Sequence, residues 1–220
     1  MFLNFNEMDL NSELEKYILD HSCPEDEVLA DLHRQTHVKI YHPRMVSGHE
    51  QGKLLEFLVR MINPSQVLEI GTYTGYSAIS IARGLSDQGK LTTIEINDEL
   101  EDFIRGYFKK AGVEKRINLL IGDALKVIPE LNEQFDLVFI DGEKDQYCEY
   151  YKLIFEKVKP GGFILADNVL WSGKVIEKKI RDNDYFTKGI REFNTLINSD
   201  IRVENIILPM RDGLNLIRKK

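Results

Sequence analysis

After Pro64 the sequence alternates short, almost continuously apolar runs with amphipathic segments, and this alternation limits the possible folds more than any other feature. The apolar runs occupy 67–70, 91–96, 117–121, 135–140 and 163–166. Between them lie amphipathic segments with the spacing of helices, around 75–85, 98–111, 123–130 and 144–158. Strands that are apolar on both faces belong to parallel sheets covered by helices on both sides. The sequence therefore predicts an α/β fold.

The two ends of the chain depart from this alternation. Residues 201–208 and 214–218 are strand-like runs joined by a short polar turn, which predicts a hairpin and an antiparallel last strand. Residues 1–62 have helical spacing, and a third helix is predicted from about His49, with Ser47 as its N-cap. The first of these helices has an apolar stripe of Leu10, Leu14, Tyr17 and Ile18.

Length, charge and cysteine content narrow the class of protein. At 220 residues we expect a single domain over 1–220, with a helical cap at 1–62 and a sheet-based core at 63–220. The 29 Lys and Arg against 36 Asp and Glu give a net charge of −7, which argues against binding to a nucleic-acid backbone. No apolar run approaches the ~20 residues of a membrane span. The acidic N-terminus lacks the features of a signal peptide, and two cysteines make no disulfide framework, so a cytoplasmic location is expected.

A glycine-containing loop follows the first strand, where an open parallel sheet binds its ligands. Gly71 and Gly75 would let the backbone turn tightly before a helix whose N-terminus favours an anionic group. The loop is not G-x-G-x-x-G, since Tyr73 stands at the second glycine and its ring would crowd a pyrophosphate. Taken alone, this loop fits a ligand-binding loop and a structural turn equally well.

Acidic residues end the second and third strands. Glu95 lies 26 residues after Glu69, where a carboxylate can accept hydrogen bonds from both ribose hydroxyls of a nucleoside. The alternative is an exposed acid at the end of a strand. After the third strand, Asp123 and Ala124 could hold an adenine edge, or Asp123 could be the N-cap of the next helix, or both.

Oxygen-bearing side chains follow the fourth and fifth strands. Neighbouring strand ends would bring Asp141 together with Asp167 and Asn168. Such a donor set without His or Cys suits a hard cation such as Mg²⁺, which would also relieve the repulsion between two carboxylates. The alternative is that both acids cap helices and face solvent. Lys144 lies three residues after Asp141, so the first turn of a helix would place both on one face.

Three strings at these strand ends carry a family resemblance. Residues 67–77, 141–147 and 167–173 resemble the cation-dependent O-methyltransferases, a group that includes catechol O-methyltransferase and the caffeoyl-CoA O-methyltransferases. The chain is most similar to the small bacterial members, from about His42 to the C-terminus. The resemblance implies a Rossmann-like class I methyltransferase fold. It would have a seven-stranded, mostly parallel sheet with a C-terminal antiparallel strand and N-terminal helices.

The resemblance also implies an activity and roles for individual residues. The reaction would move a methyl group from S-adenosylmethionine to one hydroxyl of a vicinal aromatic diol, with Mg²⁺, or alternatively Mn²⁺ or Ca²⁺, as cofactor, and Lys144 would be the general base. The metal ligands would be Asp141, Asp167 and Asn168. The cofactor would be bound by Met45, Val46, Glu69, Gly71, Tyr73, Ser77, Glu95, Asp123, Ala124 and Asp141. The acceptor would be contacted by Met45, Lys144, Tyr147 and Trp171. The alternatives are a packed tyrosine at 147 and a core position for Trp171. A homodimer is expected on the same ground.

The chain also departs from the family pattern. Caffeoyl-CoA enzymes usually read Asp-Ala-Asp or Asp-Ala-Glu before the lysine, whereas this chain has Asp141-Gly142-Glu143. The segment after Trp171 is short and strongly charged, which leaves the acceptor and any CoA binding open. The main alternative is a nucleotide-dependent oxidoreductase on the same type of sheet. The missing G-x-G-x-x-G and the paired acids argue against it.

Overall fold

The computed structural model describes residues 12–220 and contains one seven-stranded sheet. The strands are β1 (Gln66–Ile70), β2 (Lys90–Glu95), β3 (Ile117–Ile121), β4 (Phe135–Ile140), β5 (Val158–Ala166), β6 (Val203–Leu208) and β7 (Leu214–Lys219). Their order is β3-β2-β1-β4-β5-β7-β6, and β7 pairs antiparallel with both of its neighbours. The predicted α/β fold, with a parallel sheet that ends in an antiparallel strand, is confirmed.

Residues 12–220 form eight α-helices. They are α1 (Ser12–Asp20), α2 (Glu27–Lys39), α3 (His49–Ile62), α4 (Tyr76–Gly84), α5 (Glu101–Lys110), α6 (Ala124–Glu130), α7 (Tyr147–Phe155) and α8 (Tyr185–Ser199). Helices α2 to α5 pack on one face of the sheet and α6 to α8 on the other, giving two apolar layers. Coverage of both faces is the reason that the inner parallel strands are mostly apolar. Among the described residues, no helix combines the length and the apolar character needed to cross a bilayer.

Several boundaries differ from the sequence-based expectation. The fifth strand begins at Val158, before the Pro160-Gly161-Gly162 stretch that interrupts its apolar pattern. Gly48, with φ +78°, is the N-cap of α3, so the prediction of Ser47 was wrong. In the first helix, Leu14 and Tyr17 are exposed, and Leu10 lies outside the described residues. Helix α8 was not predicted, because charged residues between its apolar positions hide its buried face of Thr187, Gly189, Ile190, Phe193 and Ile197.

Helix α8 packs directly against the 3₁₀ turn of residues Lys144–Gln146. A Cβ on Gly189 would lie 2.5 Å from the Cα of Asp145 and 2.7 Å from the carbonyl oxygen of Lys144. Real side chains do not approach backbone this closely, so only glycine lets the helix reach the turn. This contact fixes the position of the backbone that carries Lys144.

We expect Gly189→Ala to destabilise the protein by about 1–3 kcal/mol, because the added methyl group would force α8 away from the turn. The measurement is the free energy of unfolding in urea. Gly106→Ala is the matched control, since Gly106 is a helical glycine with open space around its Cβ position. That substitution should stabilise by about 0.4–1 kcal/mol through the unfolded chain. Equal stability of the two variants would contradict the packing argument.

Candidate active site

The candidate site lies at the carboxyl ends of β1, β2, β4 and β5. The chain passes from β1 outward to β2 and β3, then returns to the other side of β1 as β4, so the strand order reverses between β1 and β4. Open parallel sheets bind ligands at such a reversal, because the connections leave it in opposite directions and open a crevice.

The loop after β1 approaches the end of β4 so closely that it requires glycine. Gly71 has φ +95°, and its N–H donates to the carbonyl oxygen of Ile94 at 3.0 Å. A Cβ on Gly71 would lie 2.3 Å from the carbonyl oxygen of Asp141. The glycine therefore brings the loop after β1 and the residue after β4 together at the floor of the crevice.

Tyr73 ties this loop to two other parts of the chain. Its backbone N–H donates to Glu95 Oε2 at 2.6 Å. Its hydroxyl lies 3.2 Å from the carbonyl oxygens of both Tyr41 and His42, just before the 3₁₀ turn of Pro43–Met45. Tyr73 itself has φ +50°, a strained value for a residue with a side chain. The loop is thus held between the end of β2 and the segment that leads into α3.

The acids at the ends of β2 and β3 have defined structural partners. Besides the Tyr73 amide, the buried Glu95 carboxylate accepts from the Asn97 amide at 2.9 Å, while burial raises its pKa. Asp123 accepts from the Leu125 amide at 3.0 Å, which confirms that it is the N-cap of α6. Ala124 follows it and is buried. Glu95 is therefore not the exposed acid of the alternative interpretation.

Glu69 is a fully buried carboxyl group in β1 with one unsatisfied oxygen. The Thr93 hydroxyl donates to Oε2 at 2.5 Å, but Oε1 has no partner among the described residues. Burial raises the pKa of Glu69 to about 8, and the nearby Asp141 and Glu95 carboxylates add to this shift. An orphaned buried acceptor needs a donor. The position thus fits the ammonium group of an amino-acid ligand such as the methionine part of S-adenosylmethionine.

Two acids lie side by side at the ends of β4 and β5. Ile140 and Ala166 are register partners, so Asp141 and Asp167 follow as neighbours, and the Asp167 amide donates to the Ile140 carbonyl at 3.0 Å. Loss of solvent raises the pKa of Asp141 to about 6, with Lys144 opposing the shift and Asp167 adding to it. Asn168 comes next with φ +57°, and its amide N–H donates to Asp167 Oδ1 at 2.8 Å. Carboxylate and amide oxygens grouped in this way fit a hard divalent cation.

Lys144 contacts this acid pair from the 3₁₀ turn before α7. Its Nζ lies 2.7 Å from Asp141 Oδ1 and 2.8 Å from the Tyr147 hydroxyl. Lys144 and Asp141 lie on one side of this turn, as predicted, although the α-helix begins only at Tyr147. The Tyr147 hydroxyl in turn donates to the Asp167 carbonyl at 3.0 Å.

Tyr147 is completely buried beneath the acids, which fits the alternative of a packed tyrosine. The tyrosine points under the site rather than into it, because its hydroxyl bonds to the backbone of β5. Its side chain supports Lys144 instead. The sequence feature that indicates this burial is the spacing of Tyr147 from Tyr150 and Tyr151, which places all three on the apolar face of α7.

The open side of the site is formed by three segments. Met45 is 60% exposed, whereas the next residue, Val46, is buried. Trp171 stacks edge to face on Phe186 with ring centroids 6.0 Å apart, and its indole Nε1 is buried without a partner in the described part of the chain. The Ser172 amide donates to the Asp212 carboxylate, which ties the segment after Trp171 to the hairpin turn.

Two residues that the sequence did not single out are linked to the acid pair, Gln51 directly and Arg211 through Gln51. Gln51 on α3 donates from Nε2 to Asp167 Oδ2 at 2.6 Å. Arg211 in the hairpin turn donates from Nη1 to Gln51 Oε1 at 2.7 Å. The available signal was a glutamine on the buried face of α3, in line with Leu55 and Val59. Which partner it meets depends on contacts across more than a hundred residues.

Comparison with known proteins decides the family. A family model described as O-methyltransferase matches residues 19–220. The chain belongs to this O-methyltransferase family. It is 37% identical to a caffeoyl-CoA O-methyltransferase of Pinus taeda, over 94% of this chain and 84% of that protein. Another of Stellaria longipes is 32% identical, over 95% and 91%.

Solved structures agree with this assignment. The O-methyltransferase from Bacillus cereus in complex with SAH has a TM-score of 0.87 and 30% identity, covering 94% of this chain and 97% of that one. TomG from Streptomyces achromogenes in complex with SAM has a TM-score of 0.88 and 29% identity, covering 94% and 96%. This O-methyltransferase is therefore a class I enzyme that uses S-adenosylmethionine and acts on a small molecule. The alternative of a nucleotide-dependent oxidoreductase was wrong.

We expect the free energy of unfolding of the cofactor-free enzyme to depend on pH through Glu69. The native pKa of about 8 exceeds the usual 4.5, so between these values the native state binds more protons than the unfolded state. The contribution of Glu69 to the free energy of unfolding therefore falls as pH rises through this window, by up to ~1 kcal/mol per pH unit. Below the window the contribution is fully present.

Urea unfolding of the wild type and of Glu69→Gln at pH 5, 6.5 and 8 measures this pH dependence. The glutamine does not titrate, so the wild type should lose stability relative to the variant at each step upward. A constant difference between the two proteins across the three pH values would show that Glu69 ionises normally in the native state.

Proposed function

We propose that this enzyme transfers the methyl group of S-adenosylmethionine to one hydroxyl of a catechol-type small molecule and requires a divalent cation, Mg²⁺ or alternatively Mn²⁺ or Ca²⁺. The observation that carries the proposal is the pairing of Asp141 and Asp167 at adjacent strand ends, with Lys144 2.7 Å from Asp141. Two carboxylates shielded from solvent repel each other, and one lysine compensates only one of them. A divalent cation would remove this imbalance.

Asp141, Asp167 and Asn168 would hold the cation through their side-chain oxygens. When bound, the cation would act as a Lewis acid that makes a phenolic hydroxyl easier to deprotonate. The protein's own contribution is to keep both carboxylates in place. The parallel register fixes the backbone of Asp141 and Asp167, and the Asn168 amide fixes one oxygen of Asp167.

Lys144 would be the general base, with Nζ accepting the proton of the hydroxyl that is methylated. Its side chain is only 12% exposed and is held between Asp141 and the Tyr147 hydroxyl. The Tyr147 hydroxyl donates its hydrogen bond to the Asp167 carbonyl, so a lone pair of its oxygen faces Nζ of Lys144. A base restrained at both contacts loses little entropy when the substrate aligns with it.

The cofactor would lie along the ends of β1, β2 and β3. Glu69 would bind its ammonium group, while the N-terminus of α4, where Ser77 lies, would bind its carboxylate. Glu95 would accept from the ribose hydroxyls, and Asp123 with Ala124 would contact the adenine. Binding would also involve Met45, Val46, Gly71, Tyr73 and Asp141.

The acceptor would enter from the open side between Met45 and Trp171, which present apolar surface beside the acids. Relatives named for caffeoyl-CoA support a phenolic acceptor. After Trp171, Lys174 lies 3.8 Å from Asp184 and Lys188 donates to the Asp182 carbonyl, while Lys178 and Lys179 are exposed. This segment therefore fits both a free catechol and its CoA ester as acceptors. A homodimer stays a prediction, which light scattering can test.

We expect Lys144→Ala to lower kcat by about 10²- to 10⁴-fold, the usual contribution of a general base. SAH affinity should stay close to that of the wild type, because Lys144 lies on the acceptor side of Asp141. Calorimetry with SAH and a methyl-transfer assay on catechols measure the two effects. Lys152→Ala, an exposed lysine on α7, is the matched control and should be unchanged. Full turnover by Lys144→Ala would refute its role as base.

Turnover should require a divalent cation and two adjacent hydroxyls. In a panel of catechol, resorcinol and phenol, we expect methylation of catechol alone, because only its oxygens lie side by side. EDTA should abolish the activity, and Mg²⁺ or Mn²⁺ should restore it. Activity that resists the chelator would remove the cation from the reaction, whereas cation-dependent methylation of resorcinol would remove only the requirement for a vicinal diol.

A further inference from the structure

Gln51 forms a bridge between two charged groups at the site. Its side chain is buried, donates from Nε2 to Asp167 Oδ2 at 2.6 Å and accepts at Oε1 from Arg211 Nη1 at 2.7 Å. Gln51 belongs to the first turn of α3, Asp167 follows β5, and Arg211 lies in the turn between β6 and β7. One amide therefore connects three elements that are distant in sequence.

The chemistry of the two neighbours sets the direction of this amide. A guanidinium has only donors and an ionised carboxylate only acceptors, so the amide oxygen must face Arg211 and the NH₂ group must face Asp167. A carboxylate at position 51 would face Asp167 without a donor, and an apolar side chain would satisfy neither neighbour. Glutamine meets both demands without adding charge.

The bridge also keeps Arg211 out of direct contact with the acid. A guanidinium paired directly with Asp167 would occupy both of its oxygens. With the neutral amide between them, the carboxylate is held by one N–H at Oδ2 and by the Asn168 amide at Oδ1. It is oriented but not neutralised, which is the state needed for a cation ligand.

Arg211 has a strained backbone conformation at this position. Its φ of +50° is in the left-handed region, which glycine adopts more readily than arginine. The guanidinium also donates from Nη2 to the carbonyl oxygen of Val46 at 3.4 Å, close to the start of α3. Both contacts tie the hairpin turn to the segment that presents Gln51.

We propose that Gln51 is a positioning residue that orients the Asp167 carboxylate for cation binding, and that Arg211 fixes the direction of its amide. The inference rests on the proposed function, because Asp167 has this role only in an enzyme that binds a cation. Gln51 is not a catalytic residue, since it acts through Asp167.

The test is calorimetric titration of the full-length enzyme with Mn²⁺ alone. Gln51→Met, of similar volume, should lower Mn²⁺ affinity by roughly 10- to 100-fold, the usual loss when a partner of a metal ligand is removed. SAH affinity and the KM for S-adenosylmethionine should stay within about two-fold of the wild type while kcat falls. Gln134→Met is the matched control, because Gln134 is exposed and bonds only to a backbone carbonyl.

Gln51→Asn provides a second variant if the methionine variant does not fold. It keeps the amide but is one methylene shorter, so it cannot span both contacts, and Mn²⁺ affinity should again fall. Wild-type Mn²⁺ affinity in either folded variant would overturn the proposal. Parallel losses of SAH and Mn²⁺ affinity would also overturn it, since they indicate a structural role alone.

A double-mutant cycle tests the part played by Arg211. Arg211→Met removes a positive charge in any background, but it alters the amide only where Gln51 is present. The change in Mn²⁺ affinity should therefore differ between the wild-type and Gln51→Met backgrounds, and equal changes would overturn the role of Arg211. If the wild type binds no Mn²⁺ and its turnover resists EDTA, the proposed function itself fails. If the wild type binds Mn²⁺ and the variants bind it equally well, the proposed function stands and only the role of Gln51 fails.

Discussion

Because Ile140 pairs with Ala166 in the parallel register of β4 and β5, the acid that follows each strand lies next to the other. Parallel strands that end at the same level present their following residues at one edge, so the repulsion between the carboxylates is built into the sheet. The surrounding polar contacts compensate it. Lys144 donates to Asp141, while Gln51 and the Asn168 amide donate to Asp167.

The side chains that compensate this repulsion come from parts of the chain that are distant in sequence. Gln51 comes from the helical region before β1, and Arg211 comes from the last hairpin. The turn that carries Lys144 is held from below by Tyr147 and from the side by Gly189 on α8. Helix α3 and the hairpin turn are therefore parts of the site rather than additions to the sheet.

The sequence predicts those features that depend on local pattern. Strands 117–121 and 135–140 have the predicted boundaries. Burial on both faces leaves an almost continuous apolar run in 135–140, whereas 117–121, at the edge of the sheet, is only partly buried. Helix α8 was missed because charges flank its apolar positions. The grouping of Asp141 with Asp167 followed from strand order, whereas the contact of Gln51 spans 116 residues and has no local signature. Burial of Tyr147 likewise depends on packing against Phe193 of α8.

The glycine at position 142 shows how a departure from the family pattern can leave the site geometry intact. A Cβ on Gly142 would lie 3.0 Å from Cε2 of Tyr150 and 3.2 Å from Cγ2 of Ile70. Tyr150 thus fills the space that the methyl group of alanine would need, with its hydroxyl donating to Gln146 Oε1 at 2.7 Å. The contacts that a methyl group at position 142 would make therefore lie beneath the loop, with Tyr150 and Ile70, and not with the carboxylates. At this loop Lys144 Nζ lies 2.7 Å from Asp141 Oδ1 with glycine at position 142.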